Sequence, residues 1–420
     1  MQSFTLIFIT TLLITTAIQI WLSMRHIRHV RAHQNKVPED FASQISLADH
    51  SKAADYTCAK TRAGYFGIFM HAVLLLIFTL GDGLNALSLF WHGWISDPIA
   101  HGMALILCTF LIMGMFEIPL SYYRIFVIEE QFGFNKMTPG MFFTDLIKQA
   151  MLMALLGAPL LFCILWLMEK MGDNWWLYAW IAWITFNLFL LAIFPAWIAP
   201  LFNKFLPLED AALKVRIEQL LKKCGFTSNG LFVMDGSRRS NHGNAYFTGF
   251  GKTKRIVFFD TLLSRLEPAE IEAVLAHELG HFKHRHVIKR VMASFIMSLL
   301  FFWLLGYLMN QTWFYESLGV SVEMAPSAAM ALLLFFLVLP VFTFLFHPIS
   351  SIYSRKHEFE ADAYAAQNAS AEDLIHALVK LYQDNAATLT PDPLHSTFYD
   401  SHPPAATRVA HLQRQIHHAS

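Results

Sequence analysis

The sequence predicts a mainly α, polytopic membrane protein of about seven transmembrane helices, with a small α+β domain between the fifth and the sixth. Three observations carry that class. Of 420 residues, 55% are hydrophobic and 15% charged, against roughly half and a quarter in soluble domains, and mean hydropathy is +0.42. Seven stretches reach the ~20 mainly apolar residues that cross a bilayer. One long segment, 201–288, interrupts them with a soluble-looking composition. The 31 basic and 31 acidic side chains cancel, so no nucleic-acid partner is expected. Cys58, Cys108, Cys163 and Cys224 are widely spaced without a CxxC pair, which argues against a disulfide framework or a thiolate metal site. Cys108 and Cys163 fall inside apolar runs and read as small core residues.

The spans are expected at 3–23, 66–91, 101–122, 149–169, 175–198, 289–310 and 327–348. The first lacks the basic start and small-x-small cleavage site of a signal peptide, so it reads as an uncleaved span. Loop charges set the orientation. Arg25, Arg28, Arg31, Lys36, Lys52, Lys60 and Arg62 follow span one, and Arg124, Lys136 and Lys148 follow span three. The 91–98 and 310–327 loops hold no lysine or arginine. The expected arrangement is an N-terminus outside and a cytoplasmic C-terminus. It divides the chain into a five-helix region (1–200), a cytoplasmic catalytic segment (201–288), two further helices (289–350) and a cytoplasmic segment that completes the site (351–420).

Within the soluble segment, 212–223 has the pattern of an amphipathic helix. Three β-type runs follow, at 230–234, 244–250 and 255–260, the latter two joined by a plausible hairpin turn at 251–254. Pro268 suits a helix's first position, and Glu267, Glu270 and Glu272 favour its dipole.

That helix carries HELGHFKHRH, residues 277–286. His277 and His281 are i and i+4, about 40° apart around the axis, so both imidazoles can meet one ion. Glu278 lies between them, placed to reach a water and not the ion. This is the HExxH arrangement, in which zinc acidifies a water and the glutamate takes its proton. His284 sits two turns from His277, and His286 is expected to point away; both read as interfacial polar residues. A hydrolytic zinc wants a third protein ligand and an open position. The best candidate is Glu358, in the helical run SRKHEFEADAYA (354–365). Asp362 shares its face at i+4 and is expected to accept a ring N–H from a zinc histidine. Glu360 is rotated about 160° from Asp362, and His357 is a weaker rival ligand.

HELGH, two spans and then EFEAD resemble the membrane zinc metallopeptidases that include the CAAX prenyl protease type 1 and HtpX families. The CAAX type is the nearer resemblance, through GSRRSNHGNAYFTGFGKTKRIVFFDTLL (236–263), SHPPAATR (401–408) and the seven spans. The resemblance implies a gluzincin-like protease domain with one Zn2+ per chain on His277, His281 and Glu358, and Glu278 as general base. It further implies that Asn244, Ala245, Tyr246, Phe247 and Thr248 form an edge strand to which substrate backbone adds. His402 would stabilise the developing oxyanion, with Arg408 supporting the site. The helices would enclose a large water-filled chamber. Expected partners are a membrane-associated peptide or protein substrate and the membrane lipid; isoprenylated CAAX proteins are the substrate class that the resemblance implies, although no residue here reads a prenyl group. A bacterial inner membrane is the expected location. An HtpX-like quality-control protease is the alternative enzyme, and a metal-binding transporter or sensor the non-enzymatic one. Glu278 argues against the latter, because a mere binding site has no use for a base between its ligands.

Overall fold

The computed structural model describes residues 3–248, 255–321 and 327–419. Seven of its helices are long and apolar enough to cross a membrane: Ser3–His33, Leu47–Phe78, Pro98–Glu129, Pro139–Lys170, Gly172–Phe202, His286–Leu308 and Ala328–Asn368. The number agrees with the apolar pattern; several ends do not. Span one continues to His33, about ten residues or ~15 Å past its apolar part. Span two, expected at 66–91, instead runs over Leu47–Phe78, started by Ser46, whose hydroxyl accepts from the Asp49 N–H. It stops at a turn where Asp82 takes φ 67°, and a separate helix, Gly83–His92, follows. A Cβ at Gly83 would lie 2.7 Å from the Ile77 carbonyl oxygen, so the tight turn needs glycine there. Hydropathy marks only the lipid-facing part of each helix, whereas these extensions are polar and pack on protein.

Successive spans alternate direction. At one end Thr5 Oγ1 donates to the Ser317 carbonyl and Asn85 Nδ2 to the Gly319 carbonyl, each at 2.8 Å. At the other, Phe41 and Ile45 pack with Val379, Leu389 and Val409, and Arg25 pairs with Asp392 at 2.8 Å. The 124–148 loop lies there too, its Lys136 N–H donating to the Arg239 carbonyl at 3.1 Å, so both basic loops are on the side of the soluble domain.

Span seven is the hub of the membrane core, with Ala331, Leu333 and Leu334 fully buried. Its most apolar window is 61% buried, whereas that of Gly172–Phe202 is 0%. That stretch of Gly172–Phe202 therefore contributes no buried residue to the packed membrane core, and the membrane helices together enclose a chamber. The same reasoning corrects the cysteines. All four are free, but Cys108 and Cys163, expected in the core, are only half-buried, because apolarity in a membrane helix reports lipid contact as well as packing.

The soluble domain has a four-stranded sheet: β1 (Phe205–Pro207), β2 (Leu231–Met234), β3 (Ala245–Thr248) and β4 (Arg255–Phe259), in the order β1-β2-β4-β3. β3 is antiparallel to β4, with Ala245 opposite Phe258, while β2 runs parallel to β4. Residues 249–254, with the expected hairpin turn, lie outside the described residues. β1 carries no sequence signal; its Pro207 is tolerated because the strand is an edge. Leu213, Ile217 and Leu220 of the Ala211–Lys223 helix, with Phe258, Leu275 and Leu279, share one core with Leu374, Ala377 and Leu412. The 201–288 and 351–420 segments thus fold around a common centre, although two spans separate them in the chain.

Two helices cross at that centre. Pro268–Lys283 begins with Pro at its first turn and a capping box between Glu267 and Glu270. His347–Asn368 is the continuation of span seven. A Cβ at Gly280 would lie 2.8 Å from Ala361 Cα, so the helices approach closely only because residue 280 is glycine. Gly280→Val is expected to push them apart and cost about 1–3 kcal/mol, the usual range for overpacking. Metal content and melting temperature of the purified variant check this. Wild-type values for both would show that the crossing has slack.

Candidate active site

The crossing brings three donor groups together. His277 and His281 set their rings edge to face, with centroids 4.9 Å apart at 89°. Glu358 Oε2 lies 3.6 Å from His277 Nε2, and Oε1 lies 3.4 Å from His281 Nε2. One donor atom from each residue falls within 4.8 Å of the others. Tetrahedral ligands at bond lengths of about 2.0–2.2 Å are ~3.4 Å apart, so the spacing suits a metal ion. The chemistry of the donors agrees: Glu358 Oε2 is buried without a hydrogen-bond partner among the described residues, which is costly for a carboxylate oxygen unless a cation meets it. Two imidazoles and one carboxylate leave a fourth position open.

The electrostatics fit too. Burial lowers the pKa of His277, but the neighbouring carboxylates of Asp362 and Glu358 override it and push His277 up to about 9. Burial, then the charge on His277, push His281 down to about 3. Without a cation the carboxylates place a proton on His277; a metal would take over that compensation.

Each donor is held from behind. His277 Nδ1 lies 2.8 Å from Asp362 Oδ1. The same aspartate receives Arg408 Nε at 2.9 Å and Nη2 at 2.5 Å. Arg408 is buried, and its Nη1 is 4.0 Å from Glu358 Oε2. Glu278 makes no hydrogen bond or ion pair among the described residues, and burial raises its carboxyl above the usual range, with the Glu358 charge adding to the effect. His402 Nε2 reaches to 3.6 Å from Glu358 Oε1, its side chain 64% exposed, and Ser401 Oγ lies 3.0 Å from its Nδ1. β3, with Ala245–Thr248 of the expected substrate strand, is the sheet's edge. Asn244 precedes it, its carbonyl accepting the Phe259 N–H at 3.0 Å. Phe247 packs on Phe282 of the HELGH helix at 4.9 Å.

One expectation fails. His286 does not point away, nor is it interfacial: it is fully buried, with Nδ1 3.0 Å from His281 Nδ1 and Nε2 2.9 Å from Glu360 Oε2. The helix ends at Lys283 and a new one starts at His286 after Arg285, which takes φ 56°. A helical wheel run through that break aims residue 286 wrongly. His357 stacks on His286 at 3.9 Å and is not among the donor atoms. The sequence reading also misses Arg355 and Tyr382. Arg355 donates to the Asp400 carbonyl at 3.2 Å and the Ser396 hydroxyl at 2.9 Å. The Tyr382 hydroxyl donates to the Pro403 carbonyl at 3.4 Å. Together they hold the loop that carries His402. Neither has a motif to announce it, whereas four histidines in ten residues were a signal for His286.

Membrane helices around a chamber, with a three-donor site on a soluble domain at one end, define an integral-membrane metallopeptidase. The chain belongs to the CAAX prenyl protease type 1 family, within peptidase family M48. The family model described as "CAAX prenyl protease N-terminal, five membrane helices" matches residues 26–204, and "Peptidase family M48" matches 207–416. CAAX prenyl protease 1 of Saccharomyces cerevisiae is 33% identical over 92% of this chain and 90% of its own length. The Arabidopsis thaliana homologue is 36% identical over 89% of each. The crystal structure of S. mikatae Ste24p superposes with a TM-score of 0.90 at 32% identity, covering 98% of this chain and 99% of that one.

Proposed function

We propose that the chain is a zinc endopeptidase that cleaves membrane-anchored substrates of the CAAX type, with one zinc per chain held by His277, His281 and Glu358. The observation that carries this reading is the donor triangle, with spacings of 3.4 and 3.6 Å, beside a glutamate that is no part of it. Bound zinc would supply Lewis acidity and a lowered pKa for water. Glu278 takes the proton of the attacking water and returns it to the leaving amine. His402, with Ser401 donating to its Nδ1, keeps its proton on Nε2 and directs it at the developing oxyanion. Arg408 and Asp362 hold His277, and the substrate backbone adds to the free edge of β3 through Asn244–Thr248. The relatives named above are CAAX prenyl proteases, which supports the same substrate class here.

The test uses the full chain in liposomes with two peptides, one ending in a farnesylated CAAX sequence and its unprenylated twin. Cleavage after the modified cysteine, abolished by a zinc chelator and restored by zinc, is the expected result. Cleavage that is zinc-dependent but indifferent to the lipid would remove the CAAX assignment and leave a general membrane protease.

The basic loops support an N-terminus outside and the active site in the cytoplasm. Reporters fused to the C-terminus and inserted near Ser317 should report cytoplasmic and external positions respectively. The reverse pattern would invert the protein.

A further inference from the structure

We propose that Glu360 and His286 form a positioning relay that fixes the ring and tautomer of His281; the proposal rests on His281 being a metal ligand. A neutral imidazole that gives Nε2 to a metal carries its proton on Nδ1. For His281 that proton points at His286 Nδ1, 3.0 Å away. His286 can accept it only as the tautomer protonated on Nε2, and that N–H meets Glu360 Oε2 at 2.9 Å. The protons are thus assigned along the chain from Glu360 to His286 to His281, and each group makes the bond its neighbour requires. The His286 ring cannot turn out of line. It is fully buried and stacks on His357 at 3.9 Å with planes 8° apart.

His277 receives its carboxylate, Asp362, directly; His281 receives one through an intervening imidazole. Groups of this kind raise ligand basicity and hold the ring in place. His284, His286 and Glu360 also present donor atoms within 4.8 Å of each other. The 2.9 Å contact between His286 and Glu360 is a hydrogen-bond length, shorter than the ~3.4 Å between two ligands of one tetrahedral metal. The trio is spaced to pass on a hydrogen bond and not to hold a second ion.

The experiment measures zinc affinity by chelator competition on the detergent-solubilised full chain, with metal content and melting temperature of the metal-free form. His286→Phe keeps the stack on His357 and removes the relay; it should weaken zinc about 10–100-fold. Glu360→Ala should weaken it in the same direction, and Glu360→Gln, which retains an acceptor oxygen, should stay nearer wild type. The double variant His286→Phe/Glu360→Ala should be no weaker than His286→Phe alone, because both changes cut one chain. Additive losses, or wild-type affinity in His286→Phe, would overturn the relay. So would a second zinc equivalent in the wild type that His284→Ala abolishes. If His286→Phe does not fold, the comparison of Glu360→Ala with Glu360→Gln carries the test, and equal affinities sink it. His281→Ala separates this failure from that of the metal assignment, because only the latter predicts a full zinc equivalent retained in that variant.

Discussion

Glu278→Gln is expected to retain its zinc and its fold while peptide cleavage falls by about 10²–10⁴, the usual contribution of a general base. Glutamine preserves the size of the side chain and an acceptor oxygen but cannot take up a proton at working pH. The residue is free to show this cleanly, because it pairs with no other group among the described residues. Its carboxyl is already raised by burial, which suits a group that must hold a proton between water and the leaving amine. One preparation should be assayed for metal content, peptide binding and cleavage. Binding and metal should be unchanged, so the loss should appear in kcat. Near-normal turnover would rule out Glu278 as the base, however well the motif matches.

Glu358→Ala is expected to lose the metal, and with it all measurable cleavage. The carboxylate lies 3.6 Å from one histidine and 3.4 Å from the other, and it contributes the negative charge of the donor triangle. Removing it leaves two imidazole ligands with no carboxylate between them, and it takes away the Glu358 charge that faces Arg408 Nη1. Affinity should therefore fall by more than the ~10–100-fold typical when a supporting partner of a ligand is lost. Arg408 still has Asp362, so the fold should persist. Zinc per chain after dialysis, with circular dichroism as the control, decides the matter. A full equivalent in Glu358→Ala would pass the third position to another residue, with His402, 3.6 Å from the Glu358 carboxylate, the first to test.

Much of this site was legible without coordinates because its signals are local. His277 with His281, and Glu358 with Asp362, are one helical turn apart, and helical periodicity places each pair on one face without knowledge of the rest of the fold. The start at Pro268 was legible for the same reason, since caps act within a single turn. Seven spans followed from the bilayer's thickness, a length scale that composition alone can meet. What failed involved longer reach. Helix ends beyond the lipid depend on protein contacts, so Leu47–Phe78 ran earlier and stopped sooner than its hydropathy suggested. The three residues of β1 become a strand only because β2 supplies its partners.

By itself, the sequence determined the number of membrane spans and the faces that carry the donors. Only tertiary structure decided which faces meet. Gly280 against Ala361 lets the HELGH helix and the continuation of span seven approach closely enough for three donors from two helices to share one point. His402 and Arg408 arrive from more than forty residues further along the chain, a separation that no periodicity spans. His286 shows the limit most plainly. Periodicity aims a side chain only while the helix continues, and at Arg285 one left-handed residue ends that rule and turns a histidine expected at the membrane interface into the neighbour of His281.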